Sequence, residues 1–302
     1  MIITSATLQA VNKNVRTTFW DAYHGAGDVL VDRFAMRAGS SAAENIYGWL
    51  GAIPGLVELI GEFAIANLLE HAYSISNKEF GRIIGVRRTD IERDNLGTYT
   101  GILQALGIAA RQHPDELLFS ALTGGFTTTC YTGKNFFDAD HEPKAGGTKF
   151  SNKGTKKFSA TNFDTARQNI MSRLNYEGRP MNLGSNLVLV VSPTYDKTAR
   201  DTVIADNLAS GATNTLKGTA SLVTSPRLAG ATEHNWFLFD LGYPVKPFIN
   251  QVEKEVEFTS QDQLTDESVF LLSEFRHKVY RRGNVGYGMP ELAYGSTGAD
   301  AA

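Results

Sequence analysis

Five consecutive apolar residues, Leu187-Val188-Leu189-Val190-Val191, constrain the fold more than any other stretch of the chain. The run is too short for an ordinary helix, and its leucine and β-branched side chains would project alternately to the two sides of a strand. A strand with no polar side has to be covered on both faces. Trp236-Phe237-Leu238-Phe239-Asp240-Leu241 is a second run of the same kind. Residues 248–258 differ, because Val252, Val256 and Phe258 alternate with Gln251, Glu253, Glu255 and Glu257. That period of two predicts a long strand with one covered face.

Helical signals lie mostly upstream of these strands. Thr89-Asp90-Ile91-Glu92 has the spacing of a capping box, in which the Thr hydroxyl and the Glu carboxylate satisfy backbone N–H groups at a helix start. Tyr99, Ile102, Leu103 and Leu106 then fall on one helical face that continues through Ala110, and Leu117, Leu118, Ala121 and Leu122 resume the pattern. Pro114 suits a first helical turn, so a bend or restart is expected there, and Gly124–Gly125 ends the unit. Thr161 is placed to cap a second helix carrying Phe163, Ala166, Ile170 and Leu174, and Pro193 to open a third that runs to Ile204. Helices and strands occupy different parts of the chain, which predicts an α+β fold.

The remainder is less regular. Residues 1–46 read as a weakly patterned arm with at most a short amphipathic turn at 6–15, because Gly25, Gly27, Gly39 and Ser40–Ser41 interrupt a long helix. Residues 47–69 are apolar but broken by Pro54 and several glycines. With Glu58 and Glu62 inside, they are no membrane span, and the first residues lack the apolar core of a signal peptide. EHAYSIS and EFGRIIGVR flank Asn77–Lys78 and read as the two strands of a hairpin. The stretch 47–88 is therefore expected to be a long hairpin. Residues 124–160, including KAGGTKFSNKGTKKF, read as loop with a flexible basic insert, and GNVGYGMPELAYGS as a glycine-rich tail.

Motifs for familiar chemistry are missing. G-x-S-x-G, H-E-x-x-H and G-x-x-x-x-G-K-[ST] do not occur, and one cysteine, Cys130, excludes both an intrachain disulfide and a thiolate zinc cluster. Asp138, Asp140, His141 and Glu142 could hold a divalent cation, yet Lys134 and Lys144 lie beside them and solvated charge is the default for such a loop. Lys149, Lys153, Lys156 and Lys157 could touch phosphates, but 29 basic against 32 acidic residues leave no surplus for strong nucleic-acid binding.

YGWLG (47–51), HAYSISNKEF (71–80), DIERDNLG (90–97), HPDEL (113–117), CYTGKNFFDADH (130–141) and RGNVGYGMPELAYGS (282–296) resemble, in this order, the Mu-like phage major head subunit family. The resemblance implies a Hong Kong 97-type capsid fold: an N-terminal arm (1–46), an extended hairpin loop (47–89), and a peripheral domain with a long spine helix (90–160). An axial domain (161–245) and return strands with a C-terminal tail (246–302) complete it. The function implied is a non-enzymatic major capsid protein that assembles with itself as hexamers and pentamers into an icosahedral shell around double-stranded DNA. Scaffolding, portal and decoration proteins are the partners implied, with no cofactor, and the location implied is the virion, assembled in a bacterial cytoplasm. Trp49, Leu50, Ile60, Phe63, Tyr73 and Phe80 are the candidate inter-subunit contacts. Two other readings stand beside this one: a nanocompartment shell of the same fold, and a metal-dependent cytosolic enzyme using the Asp138–His141 cluster.

Overall fold

The two uninterrupted apolar runs become neighbouring antiparallel strands inside a five-stranded sheet. The computed structural model describes residues 5–27, 29–50, 73–93, 97–142, 149–175, 177–208 and 210–300. In chain order its elements are α1 (Ser5–Gly25), α2 (Val31–Phe34), β1 (Ala35–Gly39), β2 (Glu44–Ile46), β3 (Ser74–Ser76), β4 (Lys78–Arg87), α3 (Arg88–Glu92), α4 (Gly97–Gly124) and β5 (Lys153–Lys156). There follow α5 (Ala160–Met171), β6 (Leu187–Val191), α6 (Asp196–Val203), β7 (Ser221–Thr224), β8 (Trp236–Asp240), β9 (Phe248–Gln261), α7 (Glu267–Leu272), β10 (Glu274–Tyr287) and β11 (Ala293–Asp300).

The five-stranded sheet has the order β5-β11-β8-β6-β7. Val188, Val190, Phe237 and Phe239 enter one apolar cluster with Leu118, Phe119 and Leu122 of α4. Leu187, Leu189, Val191, Trp236 and Leu238 enter another with Phe163, Ala166 and Ile170 of α5. Both faces are covered, which is why neither run needs a polar side chain. A four-stranded sheet, β1-β9-β10-β4, packs one face against α4 and α1 through Leu8, Val15, Phe19, Leu103, Phe258 and Phe275. A side chain at Gly107 would put its Cβ 2.5 Å from the carbonyl oxygen of Phe19, so the close crossing of α1 and α4 requires glycine there.

Several expectations are corrected. The arm contains a 21-residue helix, α1, because Leu8, Val11, Val15 and Phe19 recur at helical spacing and bury against α4. EHAYSIS and EFGRIIGVR do not pair with each other. β3 pairs with β2, while β4 runs antiparallel to β10 from Arg87↔Glu274 to Lys78↔Gly283. Asn77 turns the chain by donating through Nδ2 to Ser40 Oγ (2.8 Å) and the Ala42 carbonyl (2.7 Å) instead of closing a hairpin. Residues 74–87 therefore belong almost wholly to the chain's own sheets, Tyr47 and Leu50 are buried in its core, and the remainder of the expected hairpin, 51–72, lies outside the described residues.

The capping box is absent as well. α3 is capped at Arg87 with no side-chain bond, and the Asp90 carboxylate instead accepts from the Tyr99 hydroxyl (2.6 Å). Helix α4 runs through Pro114 without ending. A proline inside a helix costs about 3 kcal/mol, but Leu103, Leu118, Phe119 and Leu122 are all buried. Each such burial contributes about 2 kcal/mol, enough together to hold the helix through the lost bond. Ser159, not Thr161, caps α5, accepting from the Asn162 N–H (3.2 Å). The basic insert contributes β5, and the glycine-rich tail contributes β11, which lies between β5 and β8 with Gly295 against the Phe137 ring. Gln251 breaks the alternation of β9: it is fully buried, accepts from the Tyr47 hydroxyl (2.8 Å), and donates to the Ile75 carbonyl (2.9 Å) and Asn77 Oδ1 (2.7 Å).

Asp115 shows how the HPDEL segment works. Its buried carboxylate accepts from the backbone N–H groups of Leu30 (3.1 Å) and Val31 (2.7 Å), capping α2 from a distant point in the chain. Hydrogen bonds to a charged acceptor contribute about 2 kcal/mol. Asp115→Ala is expected to lower unfolding stability by about 2–3 kcal/mol, and Asp115→Asn, which keeps one acceptor oxygen, by roughly half that. Urea denaturation of both variants measures this, and equal losses would show that only one bond matters.

Candidate functional site

The acidic cluster and the basic insert answer each other. Lys149 Nζ lies 3.2 Å from Asp140 and 3.6 Å from Glu142, and Lys134 lies 3.8 Å from Asp140. Asp138 Oδ1 accepts from the Asp140 N–H (3.1 Å), and the Asp138 N–H donates to Asn152 Oδ1 (2.8 Å). His141 is fully buried. Its Nε2 faces the Phe136 carbonyl (3.2 Å), which can only accept, so this nitrogen carries the proton. Nδ1 then accepts from the Thr132 hydroxyl (2.9 Å). Among the described residues, no group of three His, Cys, Asp or Glu is arranged to hold a metal ion. The cluster is a loop clasp whose one imidazole is committed at both nitrogens, which leaves the metal-dependent enzyme reading without a centre. The Cys130 thiol is likewise buried and pushed up to about 11, too high for a ready nucleophile.

The candidate contact residues divide by position. Leu50 is 0% exposed inside the chain's own core, so it has no surface to offer a neighbour. Trp49 is half-buried against the same core, its ring 6.5 Å from that of Tyr47. Tyr73 is half-buried, and its hydroxyl accepts from the Tyr287 N–H (2.9 Å). Phe80 is half-buried with its ring 4.3 Å from that of His113. Ile60 and Phe63 lie outside the described residues. The Tyr47 N–H donates to the Tyr73 carbonyl at 2.7 Å, so the chain on either side of segment 51–72 is tied together.

Apolar residues elsewhere on the surface are more prominent. Phe270, Leu271 and Leu272 are 83%, 64% and 59% exposed on α7, which caps the end of the four-stranded sheet. Val269 anchors α7 in the core and Ser273 closes it in a left-handed conformation. Ile102 and Ile108 are exposed on α4, although Ile102 was expected on its buried face. Three successive bare hydrophobic side chains are unusual for a surface that faces only water. Their one sequence signal is that Phe270-Leu271-Leu272 fits neither a helical nor a strand period.

The family described as Mu-like prophage major head subunit gpT matches residues 8–159, 151–228 and 227–300. The Mu-like prophage FluMu major head subunit of Haemophilus influenzae is 32% identical over 260 residues, covering 86% of this chain and 63% of that protein. The major capsid protein of Escherichia phage Mu is 30% identical over 295 residues, covering 97% of this chain and 74% of that protein. The chain thus spans a little under two thirds of the Haemophilus relative and about three quarters of the Mu protein. Among solved structures, the procapsid of bacteriophage JBD30 matches with a TM-score of 0.61 and 30% identity, covering 97% of this chain and 76% of that one. The architecture is the Hong Kong 97-type capsid fold.

His141 makes the fold acid-sensitive in a defined window. Burial, the largest cause, lowers its pKa from 6.5 to about 4, so the folded state binds fewer protons than the unfolded chain between those values. Its contribution is complete above pH 6.5 and is lost as pH falls toward 4, to a total of roughly 3 kcal/mol. His141→Gln is expected to flatten that part of the stability-against-pH curve. An unchanged slope between pH 6.5 and 4 would count against this assignment.

Proposed function

The chain belongs to the Mu-like prophage major head subunit family, and on that premise we propose that it is the major capsid protein of a tailed bacteriophage. Its role in this reading is to build a shell by self-association, with no catalytic step. The observation that carries the reading is the family match from residue 8 to residue 300, joined to the likeness to a phage procapsid at 30% identity. The exposed apolar surface of α7 supports it, since a subunit that works alone has no use for three bare hydrophobic residues.

Within this proposal α4 is the spine of a peripheral domain built on the four-stranded sheet, and the five-stranded sheet is the axial domain. The expected limits 161–245 for the axial domain widen, because β5 and β11 lie outside them in sequence and inside its sheet. Likewise β1, within the expected arm, pairs in parallel with β9. Hexamers and pentamers of the chain form an icosahedral shell in the bacterial cytoplasm, with portal, scaffolding and decoration proteins as further partners. Many modest contacts per subunit then act together, which makes the shell durable although each contact is weak.

The enclosed double-stranded DNA is held by the wall and not gripped. The chain carries a net charge of -3, and Lys149 in the basic insert is already paired with Asp140 and Glu142. Purified protein is expected to form closed shells in negative stain. A stable small oligomer under all solution conditions would overturn the proposal. Titration of unassembled subunit with duplex DNA should show only weak, non-specific binding. Sub-micromolar affinity near physiological salt, falling steeply as salt rises, would mark a nucleic-acid binder instead.

A further inference from the structure

A groove of about 410 Å³ runs between α4, β4 and β10. Leu106, Ala109, Val256 and Val279 give it an apolar wall, and Arg82 and Arg281 line it with positive charge. Arg281 is only 5% exposed; its guanidinium reaches His113 Nδ1 (3.2 Å) and Asn250 Oδ1 (3.4 Å). Neither arginine has a carboxylate within ion-pair distance among the described residues. The two acids of the groove are engaged elsewhere, Glu79 with Arg282 (3.9 Å) and Glu116 with Arg227 (3.5 Å). A buried cation without an anionic partner is costly, so this groove favours an occupant that is acidic and apolar together.

The same chain exposes such a segment. Between Lys254 and Arg276 there is no basic residue, and Asp262, Asp266, Glu267 and Glu274 surround the bare Phe270-Leu271-Leu272 of α7. The tip cannot fill its own groove. α7 meets β10 at Glu274, and Arg281 lies seven residues along that strand, about 23 Å away. A knob and a socket at separate places on one subunit make a head-to-tail contact, the kind that generates rings and larger lattices.

We propose that the α7 tip of one copy inserts into the α4–β4–β10 groove of a second copy, with Phe270, Leu271 and Leu272 on the apolar wall and Asp266 and Glu267 facing Arg82 and Arg281. The proposal rests on the self-assembly reading above and names one contact within it. It also accounts for Ala109, whose small exposed side chain on α4 leaves the groove open.

Site-specific cross-linking of the full chain tests it, since the single native thiol, Cys130, is buried. Shells assembled from Phe270→Cys/Ala109→Cys and then mildly oxidised should give a ladder of disulfide-linked subunits, while each single variant should give none. A disulfide-linked dimer from Phe270→Cys alone would mean that tips meet tips, and shells with no ladder from the double variant would mean that the groove is not the receiver. Either result overturns the proposal. If the unsubstituted chain forms no shells, the self-assembly reading fails first and this contact falls with it.

Charge reversal gives a second readout that does not depend on thiol geometry. Glu267→Arg and Arg82→Glu should each cut shell yield by about tenfold or more, with unchanged circular dichroism, because both side chains are exposed or half-exposed. The two together should restore yield. Single variants that assemble normally, or a double variant no better than either, would refute the pairing.

Discussion

Helix α4 and the long strands β9 and β10 each divide their side chains between separate apolar clusters. Leu103 of α4 packs beneath the four-stranded sheet, while Leu118, Phe119 and Leu122, farther along the same helix, pack against the five-stranded one. Phe258 of β9 and Phe275 of β10 sit in the first cluster, and Phe248 and Tyr287, at the opposite ends of those strands, sit in the second. Three elements shared by two cores make the sheets one mechanical unit. Loss of burial at one end is felt at the other, because a strand or helix does not bend freely along its length. The helix passing Pro114 unbroken follows from the same sharing, since both of its halves are held by burial.

Buried polar side chains do a different task. Gln251, Asn152, His141 and Asp115 are all enclosed; Gln251, Asn152 and Asp115 join segments far apart in the chain, while His141 closes its own loop onto Thr132 and Phe136. Gln251 ties β9 to Tyr47, Ile75 and Asn77, while Asn152 Nδ2 donates to the carbonyls of Phe136 (2.8 Å) and Pro290 (3.1 Å). An unsatisfied polar group in such a place costs more than a satisfied one contributes, so these residues favour one register and oppose all others. They secure the chain on both sides of segment 51–72 and the loop between α4 and β5. A shell subunit needs that definition, because an error in one register would be repeated at every contact it makes.

Several sequence features were legible because their cause is local. LVLVV and WFLFD are strands buried on both faces, and the helices at 97–124 and 160–171 follow their apolar periods. The failures also share a cause. EHAYSIS and EFGRIIGVR are strand-forming as read, yet their partners lie in residues 44–46 and 274–283, and nothing in either segment names a partner so far away. Gly107, Gly283 and Gly295 are places where another backbone or ring comes too close for a Cβ, which nothing in their own neighbourhood of sequence signals. The Asp138–His141 cluster reads in sequence as solvated charge by default, with a cation site as the alternative, and the structure pairs Asp140 and Glu142 with Lys134 and Lys149 while both nitrogens of His141 are bonded within the loop.

By itself the sequence determined the α+β class, the two doubly buried strands, the long helix and the likeness to a head-subunit family. Hydrophobic period and motif order are properties of neighbouring residues, so they survive without coordinates. Only the tertiary structure decided that the glycine-rich tail is an interior strand, that the arm is a helix, and that β4 pairs with β10. It alone set Phe270, Leu271 and Leu272 outside while placing Leu50 inside. Exposure is not a property of a residue type. It depends on which distant segments arrive to cover a side chain, and among the described residues none covers Phe270, Leu271 and Leu272 of α7.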